Sequence, residues 1–310
     1  MSSGPTAVVA LDVGGTGMKC ALVRPDGTVH HEERHPTRAE RGPEAVTETI
    51  LSVAESLAGR ARADGLTPIA AGIAVPGVVD EIEGVAVWSS NIGFRDVPLR
   101  DLAVRRLGIP AALGHDVRVG ALAEARLGAG AGQRHVLFVA IGTGIAAGLV
   151  VDGTGYPGAH GAAGELGHIV VRPGGRPCPC GQRGCLEAVA SARAVGLRYA
   201  ELTGRPSATA FDVATAAAGG DEPARQVWQE AVEALADGLV IAQALYDVGV
   251  VVLGGGLAEA RDDLLNPVRE AVARRVTFHR TPAIVRAELG DAAGCLGSAL
   301  LALDSLKGAP

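Results

Sequence analysis

Aromatic residues make up only 3% of this 310-residue chain. A close-packed core must then be filled by Ala, Val and Leu. No apolar run reaches the roughly 18 residues of a membrane-spanning helix, so no membrane partner is expected. The N-terminal stretch MSSGPTAVVALDV has no basic n-region, and its apolar run is too short for a secretory signal. The cytoplasm is therefore the expected compartment. A basic excess is missing too. The net charge is −6 and the pI is about 5.8, whereas a nucleic-acid binder usually carries a basic footprint. Cysteines are few, five in all, and three of them fall within residues 178–185. In a reducing compartment that clustering reads as metal binding rather than disulfide pairing.

What the chain does have is ample apolar material. It is 48% hydrophobic and 20% charged, with a mean hydropathy of +0.25. Global disorder is excluded and a sizeable core is possible. At roughly 100–200 residues per domain, the length suggests two domains or one large one. The 44 glycines cluster without a three-residue period, which excludes collagen.

Ala7–Val13 is a continuous apolar run and reads as a buried strand. It ends in Gly14-Gly15-Thr16-Gly17, and a second strand follows at Cys20–Val23. Pro25-Asp26-Gly27 then turns the chain into Thr28–Arg34, an alternating edge strand. Helical spacing runs from Glu44 to Ala63, a strand from Pro68 to Val75, a short helix over Leu99–Leu107, and a further strand starts at Ala111–Leu113. The pattern then restarts. VALDVGGTGMKCALVRPDGT (9–28) and FVAIGTGIAAGLVVDGT (138–154) both read strand, Gly-Thr-Gly turn, strand, Asp-Gly hairpin. That repetition predicts a duplicated unit with a cleft between the halves. Residues 153–184 are loop-rich, with one expected strand at His168–Val171. Ser191–Ala218 and Glu222–Tyr246 read as helices, Val248–Leu253 as a buried strand, and Leu264–Val276 and Gly294–Leu306 as helices. Strands alternating with helices make an α/β protein with parallel elements.

Three constellations carry chemistry. His168, Cys178, Cys180 and Cys185 offer one imidazole and three thiolates, the donor set that Zn²⁺ takes in closed tetrahedral sites. Such a site has no open position, so the zinc would be structural. Asp12, Gly14, Gly15 and Thr16 follow a buried strand, where glycines let backbone amides approach phosphate oxygens and Asp12 could hold Mg²⁺ through water. Gly142-Thr143-Gly144 repeats that loop in the second half. A third glycine loop, Gly254-Gly255-Gly256, follows a strand and would admit a flat ring or a ribose.

Read together, DVGGT (12–16), GELGH (164–168) and CPCGQRGCLE (178–187) resemble the ROK family of sugar kinases and repressors, in order and over nearly the whole chain. The resemblance implies a two-domain actin/hexokinase-like (ribonuclease H-like) α/β fold with a duplicated βββαβα core and an interdomain cleft. Residues 1–113 would form the smaller domain, completed by a C-terminal helix 294–310, and residues 114–293 the larger. The implied activity is ATP-dependent phosphorylation of a hexose, usually at the 6-hydroxyl, with Mg²⁺ accompanying ATP. Asp116 would be the general base. Gly77, Asn91, His115, Glu165, His168 and Glu187 would bind the sugar, with His168 also on zinc. Homo-oligomers, dimers or tetramers, are common in the family.

The sequence departs from the family pattern in three places. The usual Asn-Asp-x-Asn is His115-Asp116-Val117-Arg118, Gly17 replaces a Lys while Lys19, the candidate phosphate ligand in its place, comes two residues later, and Ala146 replaces a Gly. His115 stands where an Asn ordinarily meets the 3- or 4-hydroxyl. This makes an amino sugar (kanosamine, N-acetylmannosamine or N-acetylglucosamine) the alternative to glucose. A repressor would need a DNA-binding segment ahead of Asp12, which only eleven residues precede. Retention of Asp12 and Asp116 disfavours a non-catalytic sugar sensor.

Overall fold

The computed structural model describes residues 4–205 and 208–308. The chain begins with β1 (Thr6–Val13), β2 (Gly17–Val23), β3 (Val29–Pro36), α1 (Pro43–Ala63) and β4 (Thr67–Val75). It continues through β5 (Val78–Asp80), β6 (Val85–Trp88), β7 (Arg95–Val97), α2 (Leu99–Leu107), β8 (Ala111–His115) and α3 (Asp116–Leu127). Then come β9 (His135–Ile141), β10 (Ile145–Val151), β11 (Thr154–Gly155), α4 (Glu187–Ala190), α5 (Ala192–Thr203), α6 (Ala210–Ala218) and α7 (Glu222–Tyr246). The last elements are β12 (Val250–Gly254), α8 (Asp262–Arg275), β13 (Ala283–Arg286) and α9 (Ala293–Leu306). Two compact units result. One takes the chain up to Ala123, Gly155–Ala163 and the chain from Asp291 onward; the other takes Glu124–Thr154 and Gly164–Gly290.

Each unit has a five-stranded sheet. The orders are β3-β2-β1-β4-β8 and β11-β10-β9-β12-β13. In both, the first strand pairs antiparallel with the second and parallel with the strand after the first helical segment, which in turn pairs parallel with the last strand. The repeat seen at 9–28 and 138–154 is therefore a repeat of topology. The first unit adds a small sheet, β5-β6-β7.

In the first unit the alternation along each strand sorts residues by size. Ala7, Val9, Leu11 and Val13 of β1 and Ala71, Ile73 and Val75 of β4 join the buried cluster with Val46, Ile50, Leu57 and Ala61 of α1. The intervening positions are small. Gly72 lies so near the Ser298 backbone that a Cβ there would overlap it, and Gly114 lies against Leu301. That small-residue face lets α9 settle close to the sheet, where the Ser298 hydroxyl donates to the Leu11 carbonyl at 3.1 Å. The second unit packs Leu137, Val139 and Ile141 of β9 and Val251 and Leu253 of β12 with Val227, Ala231, Leu235 and Leu239 of α7. Aromatics are sparse in both cores, as the composition requires; Phe94 and Tyr199 are among the few that are fully buried.

Two expectations are corrected. No strand forms at His168–Val171; Leu166–His168 is a 3₁₀ turn and Val170 makes a single bridge to Cys185. The Val171 and Arg172 amides both donate to the Gly184 carbonyl, so this segment folds on its own loop instead of joining a sheet. Nor is Ser191–Ala218 one helix. Gly204, left-handed, ends α5, and a Thr209–Asp212 capping box starts α6. Residues 206 and 207 of that span, and residues 309 and 310 of the expected 294–310 helix, lie outside the described residues. The sequence reading did not anticipate β5–β7, α3 or β13.

Ile73 is fully buried in β4, whereas Ile82 is 81% exposed. Ile73→Ala is expected to destabilise the first unit by about 2–5 kcal/mol and Ile82→Ala by less than about 0.5 kcal/mol, as read from urea denaturation midpoints.

Candidate active site and metal centre

In the first unit the 14–17 loop closes on itself. The Gly14 amide donates to the Gly17 carbonyl at 2.9 Å, and the Thr37 hydroxyl donates to the Gly14 carbonyl at 2.6 Å. Gly15 packs on the Asn91 side chain, so the first glycine loop and the exposed Asn91 are neighbours. Thr16 is exposed at the tip. The Asp12 carboxylate lies against Gly294 in the first turn of α9. Burial pushes its pKa up and Lys19, its cross-strand partner, pulls it down. Lys19 itself is engaged. Its Nζ is 3.1 Å from Asp291, which Arg34 also contacts at 2.8 Å.

Asp116 opens α3 directly after β8, a strand buried at every position. Its Oδ1 accepts from the Val117 amide at 2.7 Å and lies 3.3 Å from His115 Nε2. The Asp116 side chain is 30% exposed and that of His115 is 9% exposed. Burial, reinforced by the Arg118 cation, lowers the His115 pKa to about 3, so the ring is neutral at physiological pH. Its Nδ1 is buried with no partner. Arg118 is buried and paired, Nε to Glu81 Oε1 at 2.8 Å and Nη1 to the Gly161 carbonyl at 3.0 Å. Gly77 takes a φ of +108° and presses on the Trp88 carbonyl, which side chains with a Cβ could not do. That contact brings the Gly77 turn beside the Ser89–Asn91 loop.

In the second unit Gly142–Gly144 repeats the first loop, with the Gly142 amide donating to the Gly144 carbonyl at 2.9 Å. Thr143 is exposed. Glu187 supports this loop: its Oε2 accepts from the Ile145 amide at 2.9 Å and lies against Gly144. Gly164 has a φ of +98° and abuts the Ala147 carbonyl, while its own carbonyl accepts from the Ala147 amide at 2.7 Å. The Glu165–His168 turn is thereby fastened to β10. Gly254 packs on the Phe138 ring and Gly255 on the Ile141 backbone, whereas Gly256 is open.

His168, Cys178, Cys180 and Cys185 converge. Their donor atoms all lie within 4.8 Å of one another, the one such cluster among the described residues. His168 Nδ1 is 3.6 Å from Cys178 Sγ, and Cys180 Sγ is 3.6 Å from Cys185 Sγ. Zn–S and Zn–N bonds of about 2.3 and 2.0 Å give tetrahedral edges of roughly 3.5–3.8 Å, so the donor set and its spacing fit zinc. Burial pushes the Cys185 thiol up to about 12, which a cation would offset. Because Nδ1 faces the sulfurs, Nε2 faces outward, 3.7 Å from Glu165.

A family model described as ROK family matches residues 8–305. The chain belongs to the ROK family. It is 34% identical to the glucokinase of Thermotoga maritima over 97% of this chain and 98% of that one. It is also 34% identical to the N-acetylmannosamine kinase of Citrobacter koseri, over 96% and 98%. The ROK family glucokinase from Streptomyces griseus, solved in complex with glucose and AMPPNP, superposes with a TM-score of 0.81 at 29% identity, covering 96% of this chain and 99% of that one. The actin/hexokinase-like α/β fold of ROK sugar kinases follows.

Sequence reasoning missed several residues around these ROK motifs. Glu81, in the turn after β5, joins His115 and Arg118 across more than thirty positions, which no local pattern signals. A cavity of about 370 Å³ beside Thr143 is lined by Arg193, Gly196, Leu197 and residues 208–210; its walls come from α5, the Gly142–Gly144 loop and the start of α6. Among the described residues, no helix is long and apolar enough to cross a membrane.

Two outcomes are expected. The purified protein should carry about one zinc per chain by mass spectrometry of metals, and Cys185→Ser should remove it and lower the thermal midpoint by about 5 °C or more. Stability should also fall as pH drops from about 6.5 toward 3, because the unfolded chain protonates residue 115 and the folded chain does not. His115→Asn should flatten that part of a denaturant-midpoint profile.

Proposed function

We propose that this ROK protein is an ATP-dependent hexose kinase that transfers the γ-phosphoryl group to the 6-hydroxyl of a glucose-like sugar, with Asp116 as general base. The class, a sugar phosphotransferase, follows from family membership and from relatives named as sugar kinases over the full chain. The observation that carries the mechanism is Asp116 itself. A partly exposed carboxylate opens a helix at the end of a buried strand, where the protein can aim it rigidly.

In the reaction, Asp116 takes the proton of the attacking hydroxyl. The sugar oxygen forms its bond to the γ-phosphorus as the bond to the β–γ bridging oxygen breaks, releasing ADP. Gly14–Thr16 and Gly142–Gly144 would bind phosphates through backbone amides, with Gly256 near the nucleoside. Mg²⁺ bound with ATP neutralises phosphate charge, and Asp12 would hold it through water. Gly77, Asn91, His115, Glu165, His168 and Glu187 would bind the sugar. His168, with Nδ1 turned to the thiolates, keeps Nε2–H to donate to a hydroxyl. Zinc, where bound, holds the loop that carries it.

A second substrate reading, an amino sugar, is supported by the near full-length similarity to an N-acetylmannosamine kinase and by His115 standing where an Asn is usual. A carboxylate only accepts, so the proton of neutral His115 belongs on Nε2, beside Asp116, which leaves buried Nδ1 an acceptor lacking a donor.

A coupled ADP-release assay with Mg-ATP tests both readings against glucose, mannose, kanosamine, N-acetylmannosamine and N-acetylglucosamine. Turnover should fall by about 10²–10⁴ in Asp116→Asn. Preference for glucose supports the first reading, preference for an amino sugar the second, and no turnover of any sugar sinks the kinase assignment.

A further inference from the structure

Arg118 is the least expected buried group in the first unit. It is 5% exposed and sits two residues from Asp116. A buried ion pair is weak support for stability, because desolvation offsets most of the attraction and a neutral pair packs as well. What the Glu81–Arg118 pair does is mechanical. Glu81 Oε1 accepts from Arg118 Nε at 2.8 Å and from the His115 backbone amide at 3.3 Å. Arg118 Nη1 reaches the Gly161 carbonyl at 3.0 Å. Three stretches distant in sequence, the turn after β5, the β8–α3 junction and the 155–163 segment, are joined at this pair. The peptide it clamps is Gly114–His115, one residue ahead of Asp116.

We propose that Glu81 and Arg118 are positioning residues that fix the His115–Asp116 turn, and act on catalysis through that turn instead of by touching the sugar. The proposal rests on Asp116 being the base. The arrangement has an electrostatic side as well. Burial above all, with the Arg118 cation beside it, keeps the His115 imidazole neutral, so its contact with Asp116 places no full positive charge against the base. An Asn at position 118 lacks the reach and the fork to bind Glu81 and the Gly161 carbonyl together. The departure from the family pattern at 118 is thus accompanied by its own partner at 81.

Glu81→Gln alone would strand a buried guanidinium and could fail to fold. The informative variant is Glu81→Gln with Arg118→Met, which replaces the pair by neutral side chains of similar size. Its thermal midpoint should stay near the parent's. KM for sugar and for Mg-ATP should stay within about threefold while kcat falls roughly tenfold or more, the signature of a misplaced base. Arg118→Lys, which keeps the charge but loses the fork, should fall between the double variant and the parent in kcat. Parental kcat in either folded variant overturns the proposal alone, as does a rise in sugar KM at unchanged kcat, which would make Arg118 a sugar ligand. A parent that turns over no sugar overturns the kinase reading, and this inference with it.

Discussion

A carboxylate held at the mouth of a fully buried strand is the constraint on which the first unit depends. All five residues of β8 are buried, and the next residue, Asp116, is partly exposed. The chain passes from core to solvent within one peptide. That is possible because α3 begins there: the first turn of a helix leaves backbone amides without helical partners, and the Asp116 carboxylate accepts from one of them. Small residues do the rest. Gly114 lets Leu301 and Val119 approach, so α9 and α3 pack closely beneath the junction. The same close packing sets Gly294 against Asp12, so one helix supports two carboxylates.

The second unit meets a different constraint. Residues 164–184 carry little regular structure, and a long irregular segment cannot hold itself with a hydrophobic core. Here it is fastened at both ends. Gly164 and the Ala147 amide tie the Glu165–His168 turn to β10, and the His168–Cys178–Cys180–Cys185 cluster closes the remainder. Metal binding to such a cluster is folding free energy, since thiolates gathered this closely repel until a cation joins them. Glu187 then links the far end of the loop to the Gly142–Gly144 turn through the Ile145 amide. The loop that carries candidate sugar ligands and the loop that carries candidate phosphate ligands are thus mechanically one piece within this unit.

Much was legible in the chain itself, because it depends on short-range pattern. The apolar runs at 7–13 and 248–253, the helical spacing over 222–246 and the repeated Gly-Thr-Gly hairpins are local signals, and the elements formed where they point. The cysteine spacing is local as well, and so is the identity of Asp116 within its motif. Two local signals misled. The apolar stretch at 168–171 resembles a strand, yet the His168 and Ile169 amides close a 3₁₀ turn and the Val171 amide turns back to Gly184. The run at 191–218 resembles one helix until Gly204 and the Thr209–Asp212 box interrupt it.

The sequence by itself determined the family, the His/Cys₃ cluster and the duplicated strand pattern, since each is carried by short local motifs. Tertiary structure alone decided which charges meet. Lys19 lies on Asp291 and Arg118 on Glu81, pairings separated by 272 and 37 positions. It also decided that His115 is buried and neutral, and that Glu187 holds a backbone amide. The physical reason is that burial and Coulombic contact depend on distance in space, and a chain pattern reports spatial neighbours only over a turn of helix or a pair of strand positions.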